Sequence, residues 1–504
     1  MQADLIFVPV LAVYIALLLA LFVYGINFLY MTVVALLTTE RRPASIVPAS
    51  WPDVTIQLPL YNELYVVRRL IDAVATIDYP VERLEIQVLD DSTDDTSGII
   101  AECVQQWRDR GVDIRHIQRS RRDGYKAGAL RHGLESARGS LIAIFDADFV
   151  PQRNFLRQAV PPLLADPELA FVQARWDHLN RRFSLLTQLQ AIAIDGHFTM
   201  EQAGRWAGGN WFNFNGSAGV WRRAALMDAG GWQADTLTED LDVSYRAFIA
   251  GWRASYLGHV EAPAELPVSF SAFRRQQHRW ARGSFECAVK HLPTIWHSKA
   301  TLFRKVSATL HLTGYSIHLL LLSLSLLYPL ILFVSGTYPE LVVLLGLLNI
   351  FNLTTLAPTF LYTMGQRRLS RSWLRQMPIV LLLSVFGAGM MVNTARAAGQ
   401  AFWGRPAPFE RTAKFGVSDT RQDWFRLRYQ VGLDWIVIVE LGLAMLNLAT
   451  CAVAIERQSW TIAIYAGISG VGLASTVIAT VRQSVRIILG RRASNASEVA
   501  TAPV

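Results

Sequence analysis

Charge is what this sequence has least of. Asp, Glu, Lys and Arg make up 17% of its 504 residues, where an ordinary soluble chain carries about a quarter. Hydrophobic residues make up 52%, and the mean hydropathy is +0.26. The apolar residues are unevenly placed, which implies membrane spans joined to a soluble domain. Cysteine is also scarce. Cys103, Cys287 and Cys451 are scattered, with no Cys-x-x-Cys, so disulfide frameworks and zinc sites are excluded. No Gly-x-x-x-x-Gly-Lys-Ser/Thr is present, which rules out a P-loop, and no Gly-x-Gly-x-x-Gly follows the first strand, which disfavours a dinucleotide fold. No cleavable signal stands out, because the first apolar run, Leu5 to Leu37, is far longer than a signal core. The net charge is +8 and the pI about 9.5. In a soluble chain that balance points to nucleic acid. Here the basic residues crowd beside apolar runs and read as inner-leaflet anchors, so no nucleic-acid partner is expected.

What is present centres on Leu141-Ile142-Ala143-Ile144-Phe145-Asp146-Ala147-Asp148-Phe149. A short apolar run is the pattern of a buried parallel strand. It ends in two carboxylates one residue apart, at the sheet edge where open α/β sheets bind ligands. Alternation points both side chains the same way. Two hard oxygen ligands suit Mg²⁺ or Mn²⁺ that also holds phosphate. An isolated Asp-x-Asp is as well explained by two solvated acids in a loop, so its surroundings decide. Strands are expected at Val54–Leu58, Leu84–Leu89, Ile114–Ile117 and Leu169–Gln173, and helices at Val66–Ile77, Thr93–Arg110, Lys126–Ala137 and Phe155–Leu164. That alternation predicts an α/β domain with a mostly parallel, doubly wound sheet. One edge then collects Tyr61-Asn62-Glu63, Asp90-Asp91-Ser92, Asp146-Ala147-Asp148 and the loop around Lys126, a helix start suited to phosphate. Phe212–Arg222 is rich in small residues and suggests close backbone approach to a ligand. Thr238 is placed to cap a helix that carries Glu239 and Asp240 in its first turn. Arg274–Trp280 is basic, amidic and aromatic together.

In this order, Asp90-Asp91, Asp146-x-Asp148, Thr238-Glu239-Asp240 and Gln276-x-x-Arg279-Trp280 resemble the signature set of the membrane-embedded, processive family 2 glycosyltransferases. The finer matches VLDDSTDDT, GYKAGAL, AIFDADF, VQARW, FNGSAGVWR and QQHRW are similar to the cellulose-synthase-like mannan synthases and their bacterial relatives. The resemblance spans roughly Trp51 to Gly283 and implies a GT-A catalytic domain. It implies that Asp91 and Asp146 hold the nucleotide and that Asp148 ligates the metal. Lys126, Gln276 and Arg279 would neutralise the diphosphate. Trp280, with Glu239, would meet the acceptor, and Asp240 would be the general base. Ala281-Arg282 departs from the smaller or uncharged residues of the plant enzymes and leaves the acceptor's exit path open. The expected activity is inverting, metal-dependent transfer of a hexose from GDP-mannose or UDP-glucose to a growing β-linked glycan, β-1,4 in linkage, with export across the membrane. Transfer of a single sugar to a lipid, or nucleotide-sugar binding and transport without transfer, are the competing readings. The oligomeric state is not set by the sequence.

The basic residues after the first span place the N-terminus outside and the catalytic domain in the cytoplasm, in a multi-pass protein of a bacterial plasma membrane. Spans are expected at Leu5–Leu37, Leu310–Val334, Leu341–Met364, Trp435–Ile455 and Trp460–Val481. Met377–Ala395 is long enough to cross, yet crossing would put ten basic residues outside, so an interfacial position is expected. The resulting division is 1–45, 46–265, 266–305, 306–365, 366–433, 434–490 and 491–504. These are an anchor helix, the GT-A domain, interfacial helices, two spans, an interfacial helix with a loop, two spans and a disordered tail. That loop, Phe409–Phe415, resembles the gating loop of cellulose synthases, which implies that Phe409, Thr412 and Lys414 close over the donor diphosphate.

Overall fold

The computed structural model describes residues 2–38, 48, 50–338, 346–404, 411–417, 424, 427–429 and 434–501. The chain enters through α1 (Gln2–Leu37) and then builds a seven-stranded sheet in the order β3-β2-β1-β4-β6-β5-β7. The strands are β1 (Val54–Leu60), β2 (Leu84–Asp90), β3 (Ile114–Gln118), β4 (Leu141–Ile144), β5 (Leu169–His178), β6 (Gly219–Arg222) and β7 (Arg253–Ala264). All of β2 and β4 is buried, which is why the expected apolar runs read clearly as strands.

Six strands run one way, and β6 lies antiparallel between β4 and β5. This β6 is the second half of the stretch read only as a ligand loop. A Cβ on Gly219 would stand 2.4 Å from the carbonyl oxygen of Val172, so the small residue permits the strand pairing itself. The helices α2 (Val67–Ala75), α3 (Thr96–Arg108) and α5 (Phe155–Ala165) cover one face. Their Leu70, Ile71, Ile100, Val104 and Val160 form one core with β1 and β2. The other face is covered by α4 (Tyr125–Ser136), α8 (Arg223–Asp228) and α9 (Glu239–Ile249). There Leu130, Leu134, Trp221, Tyr245 and Phe248 pack together. Between β5 and β6 the chain forms α6 (Leu185–Gly196), a π-helical turn (His197–Gln202) and α7 (Ala203–Ala207).

From β7 the chain leaves in α10 (Phe270–His297) and α11 (Leu302–Leu312). It continues in α12 (Ser316–Thr337), α13 (Ala357–Arg368), α14 (Trp373–Gly389), α15 (Met391–Phe402), α16 (Ile436–Glu456) and α17 (Trp460–Thr501). Val8–Leu37, Ser316–Thr337, Ile436–Glu456 and Trp460–Leu489 are each long and apolar enough to cross a bilayer, which marks a membrane protein. The expected span Leu341–Met364 begins outside the described residues. Its described part is a helical turn at 346–348, a 3₁₀ segment, Asn349–Leu356, and the start of the 12-residue α13. The run expected to lie in the interface is two helices, α14 and α15, bent by 45°. Where α14 meets α17, a Cβ on Gly389 would lie 2.5 Å from the carbonyl oxygen of Gly472, the close backbone approach that small residues allow between membrane helices.

Candidate active site

The sheet's C-terminal edge gathers the chemistry. β2 ends at Asp90, so Asp91 emerges at the edge, and β4 ends just before Asp146 and Asp148. Asp146 is fixed through its backbone N–H, which donates to Ser217 Oγ at 2.9 Å beside β6. From α4, Lys126 Nζ reaches Asp146 Oδ1 at 2.7 Å and Glu239 Oε1 at 3.3 Å, and donates to the Gly216 carbonyl at 3.0 Å. Burial opposes the Lys126 charge, yet Asp146, Glu239 and Asp240 together hold its pKa above the ordinary lysine value. Burial likewise raises the Asp146 pKa, against the pull of Lys126.

Asp240 opens α9, and its Oδ1 accepts the Leu241 N–H at 2.9 Å. Burial, with Glu239 beside it, pushes its pKa up to about 7, against Lys126. A carboxylate poised there suits general-base work near neutral pH. Thr238 occupies the N-cap position but makes no side-chain cap; its hydroxyl lies 3.6 Å from Cys287 Sγ. The expected capping is therefore not made. The carbonyl of Thr238 instead accepts the Asp242 N–H in the first turn.

One cavity of about 170 Å³ joins these groups. Its lining includes Asp91, Lys126, Asp146, Asp148, Glu239 and Asp240, with Gln276, Arg279 and Trp280 from α10 and Thr412 and Lys414 from the C-terminal part. Every sequence-predicted site residue except Phe409 is brought together there; Phe409 lies outside the described residues. Arg279 feels burial, which lowers its pKa, against Glu239, Asp146, Asp240 and Asp148. Asp91 is already forked by Arg119, whose Nε donates to Oδ1 at 3.0 Å. Glu239, expected at the acceptor, faces Lys126.

The segment 411–417 closes one side of the cavity. Lys414 Nζ sits 2.6 Å from Asp148 Oδ2 and also donates to the Glu265 carbonyl. Arg411 Nη1 lies 3.1 Å from Glu63 Oε2, and the Phe415 N–H donates to Glu265 Oε1 at 3.0 Å. Phe415 and Val417 pack with Val268 and Trp424. At about 170 Å³ the cavity is smaller than the roughly 300 Å³ of an ordinary small-molecule pocket. Thr412 Oγ1 is buried without a hydrogen-bond partner among the described residues and lines the same cavity.

Sequence reasoning passed over Glu63 and Arg411. Burial raises the Glu63 pKa to about 8, against Arg411 and Lys414. Its signal was the strand-end Tyr61-Asn62-Glu63, noticed but given no role; Arg411 was available as the neighbour of Thr412. Asn215 and Trp176 also line the cavity. Both fall in motifs that were quoted without a residue being singled out.

Residues 52–283 match the family described as glycosyltransferase like family 2. Within that stretch the chain is similar to the mannan synthase-like glycosyltransferases. The curated relatives it matches are hexosyltransferases by name. It is 43% identical over 262 residues to glucomannan 4-beta-mannosyltransferase 2 of Arabidopsis thaliana, covering 51% of this chain and 49% of that one. Over 298 residues it is 39% identical to glucomannan 4-beta-mannosyltransferase 9 of the same plant, covering 56% of each chain. The chain spans about half the length of the curated relatives it matches. A mannosyltransferase from Pyrobaculum calidifontis, PcManGT, solved with GDP-Man and Mn²⁺, shares the fold. The TM-score is 0.52 at 22% identity, over 79% of this chain and 100% of that one.

Proposed function

We propose that the chain transfers mannose from GDP-mannose to a growing β-1,4-linked glycan, on the cytoplasmic side of the membrane, and passes the product through its membrane helices. The observation that carries this reading is the single cavity holding Asp146, Asp148, Asp240, Arg279 and Trp280. The relatives named glucomannan 4-beta-mannosyltransferases favour mannose and the 4-linkage over glucose from UDP-glucose.

The donor set fits a divalent cation. Asp146 and Asp148 are hard oxygen ligands, and each is met by a lysine ammonium, so the edge already attracts positive charge. Asp148 would hold Mg²⁺ or Mn²⁺, and the ion supplies charge neutralisation to the departing diphosphate. Lys414 withdraws from Asp148 Oδ2 to make room and, with Lys126, Gln276 and Arg279, faces the diphosphate oxygens. Trp280 offers an aromatic face to the acceptor ring. Asp240 takes the proton of the attacking 4-hydroxyl as the new C–O bond forms at the anomeric carbon and the bond to the diphosphate breaks. One displacement inverts the centre, so an α-linked donor gives a β-linked product and GDP leaves.

The test is incorporation by membranes containing the chain, given labelled GDP-mannose or UDP-glucose with and without EDTA. EDTA-sensitive polymer from GDP-mannose is expected. Labelled lipid, or no incorporation from either donor, overturns the reading.

A further inference from the structure

Beside Asp240 lies a polar relay that the catalytic scheme leaves unused. Asn215 lines the cavity beside the base: a Cβ on the adjacent Gly216, at φ +79°, would be 3.0 Å from Asp240 Oδ2. The Asn215 backbone is pinned, because its N–H donates to Gln173 Oε1 at 2.9 Å. Gln173 Nε2 in turn donates to the carbonyls of Ser217 and Ala218 at 3.1 and 3.2 Å.

The side-chain orientation follows from one end. Gln202 Nε2 donates to the Asn213 carbonyl at 2.8 Å, and a carbonyl only accepts, which fixes the Gln202 amide. The same Nε2 donates to Asn215 Oδ1 at 3.1 Å, which fixes the Asn215 amide. Asn215 Nδ2, a pure donor, then lies 3.2 Å from His197 Nε2. His197 Nε2 must therefore carry the lone pair, and Nδ1–H points to Glu201 Oε2 at 3.3 Å. His197, Glu201 and Gln202 all belong to the π-helical turn, a rare element concentrated at functional sites.

We propose that this π-turn presets the Asn215 amide to read hydroxyls of the acceptor sugar next to Asp240, with His197 as its positioning residue. The inference rests on the β-glycan reading above. With one amide hydrogen and one oxygen lone pair committed inward, Asn215 keeps one N–H and one lone pair without a partner among the described residues. A donor and an acceptor side by side complement two neighbouring sugar hydroxyls. Trp176 lines the same cavity, its ring 5.4 Å from Phe198 and 5.2 Å from Phe149. Amide and aromatic groups suit an uncharged sugar.

The test uses the full chain in detergent, GDP-mannose, and β-1,4-linked mannohexaose as acceptor. Asn215→Ala is expected to raise the acceptor KM about tenfold, on the scale of one net hydrogen bond, with GDP affinity unchanged. His197→Ala should raise it in the same direction, and His197→Gln, whose Oε1 can accept from Asn215, should restore it. The double variant should be less than additive. If Asn215→Ala loses GDP binding, Asn215→Asp has the same shape and carries the test, with a raised acceptor KM again expected. An unchanged acceptor KM, a His197→Gln no better than His197→Ala, or full additivity overturns the inference. A wild-type chain that transfers no mannose from GDP-mannose fails the parent reading instead.

Discussion

The two walls of the cavity are built from different chemistry. On the donor wall four carboxylates meet four cations: Asp146 with Lys126, Asp148 with Lys414, Asp91 with Arg119 and Glu63 with Arg411. On the proposed acceptor side the lining residues Asn215 and Trp176 are a neutral amide and an aromatic, and Asn215 is backed by the buried amides of Gln202 and Gln173. Charge is concentrated where the proposed diphosphate and cation would lie, and the Asn215 amide and Trp176 ring stand where the proposed sugar would lie. Asp240 lies at the seam, close to Lys126 and to Gly216, which are themselves joined by a hydrogen bond.

Perturbing the donor wall should stop turnover altogether. Excess EDTA or Asp148→Asn is expected to abolish transfer while the protein still inserts and folds, as read by detergent-phase gel filtration; full activity in EDTA would remove the metal from the account. At the seam, Asp240→Asn should lower turnover by about 10²–10⁴-fold, the usual scale for general-base loss. Calorimetry should show GDP binding retained; a parallel fall in binding would move Asp240 onto the donor wall. The kcat/KM profile reports the free enzyme. With the Asp240 pKa pushed up to about 7, its base form is depleted as pH falls, so kcat/KM should drop below about pH 7. A profile flat from pH 5 to pH 8 would exclude this assignment.

Smaller effects separate the walls further. Lys414→Met removes the ammonium from Asp148 and should tighten nucleotide-free Mn²⁺ binding about tenfold, about 1.4 kcal/mol, measured by electron paramagnetic resonance. Unaltered Mn²⁺ affinity would show that Lys414 does not compete for Asp148. Trp280→Ala should raise the acceptor KM roughly three- to tenfold, from an aromatic contribution of about 0.5–1.5 kcal/mol, with little change in donor affinity. The smallest disturbance is topological. In a background lacking Cys103, Cys287 and Cys451, Ser459→Cys should react with an impermeant maleimide from outside cells and Ser120→Cys should not. The reverse pattern would invert the five-span arrangement.

The donor wall was far more legible in the sequence than the acceptor wall. β1, β2 and β4 are buried on both faces, so they read as apolar runs, and the acids at their ends fell into place. β6 is four residues long and hidden in a small-residue stretch. β7 was missed because much of it is only half-buried, which blurs the apolar pattern. A π-turn changes hydrogen-bond register inside a continuous helix and leaves no compositional mark, so His197 could not be singled out. The contact of Lys414 with Asp148 joins residues far apart in sequence, and only the likeness to a gating loop pointed there.

The most direct test is product analysis after incubating the purified full chain with labelled GDP-mannose and Mn²⁺. The account predicts an alkali-stable polymer that β-mannanase degrades to labelled oligosaccharides. A product that partitions wholly into organic solvent as a single-sugar lipid would contradict it.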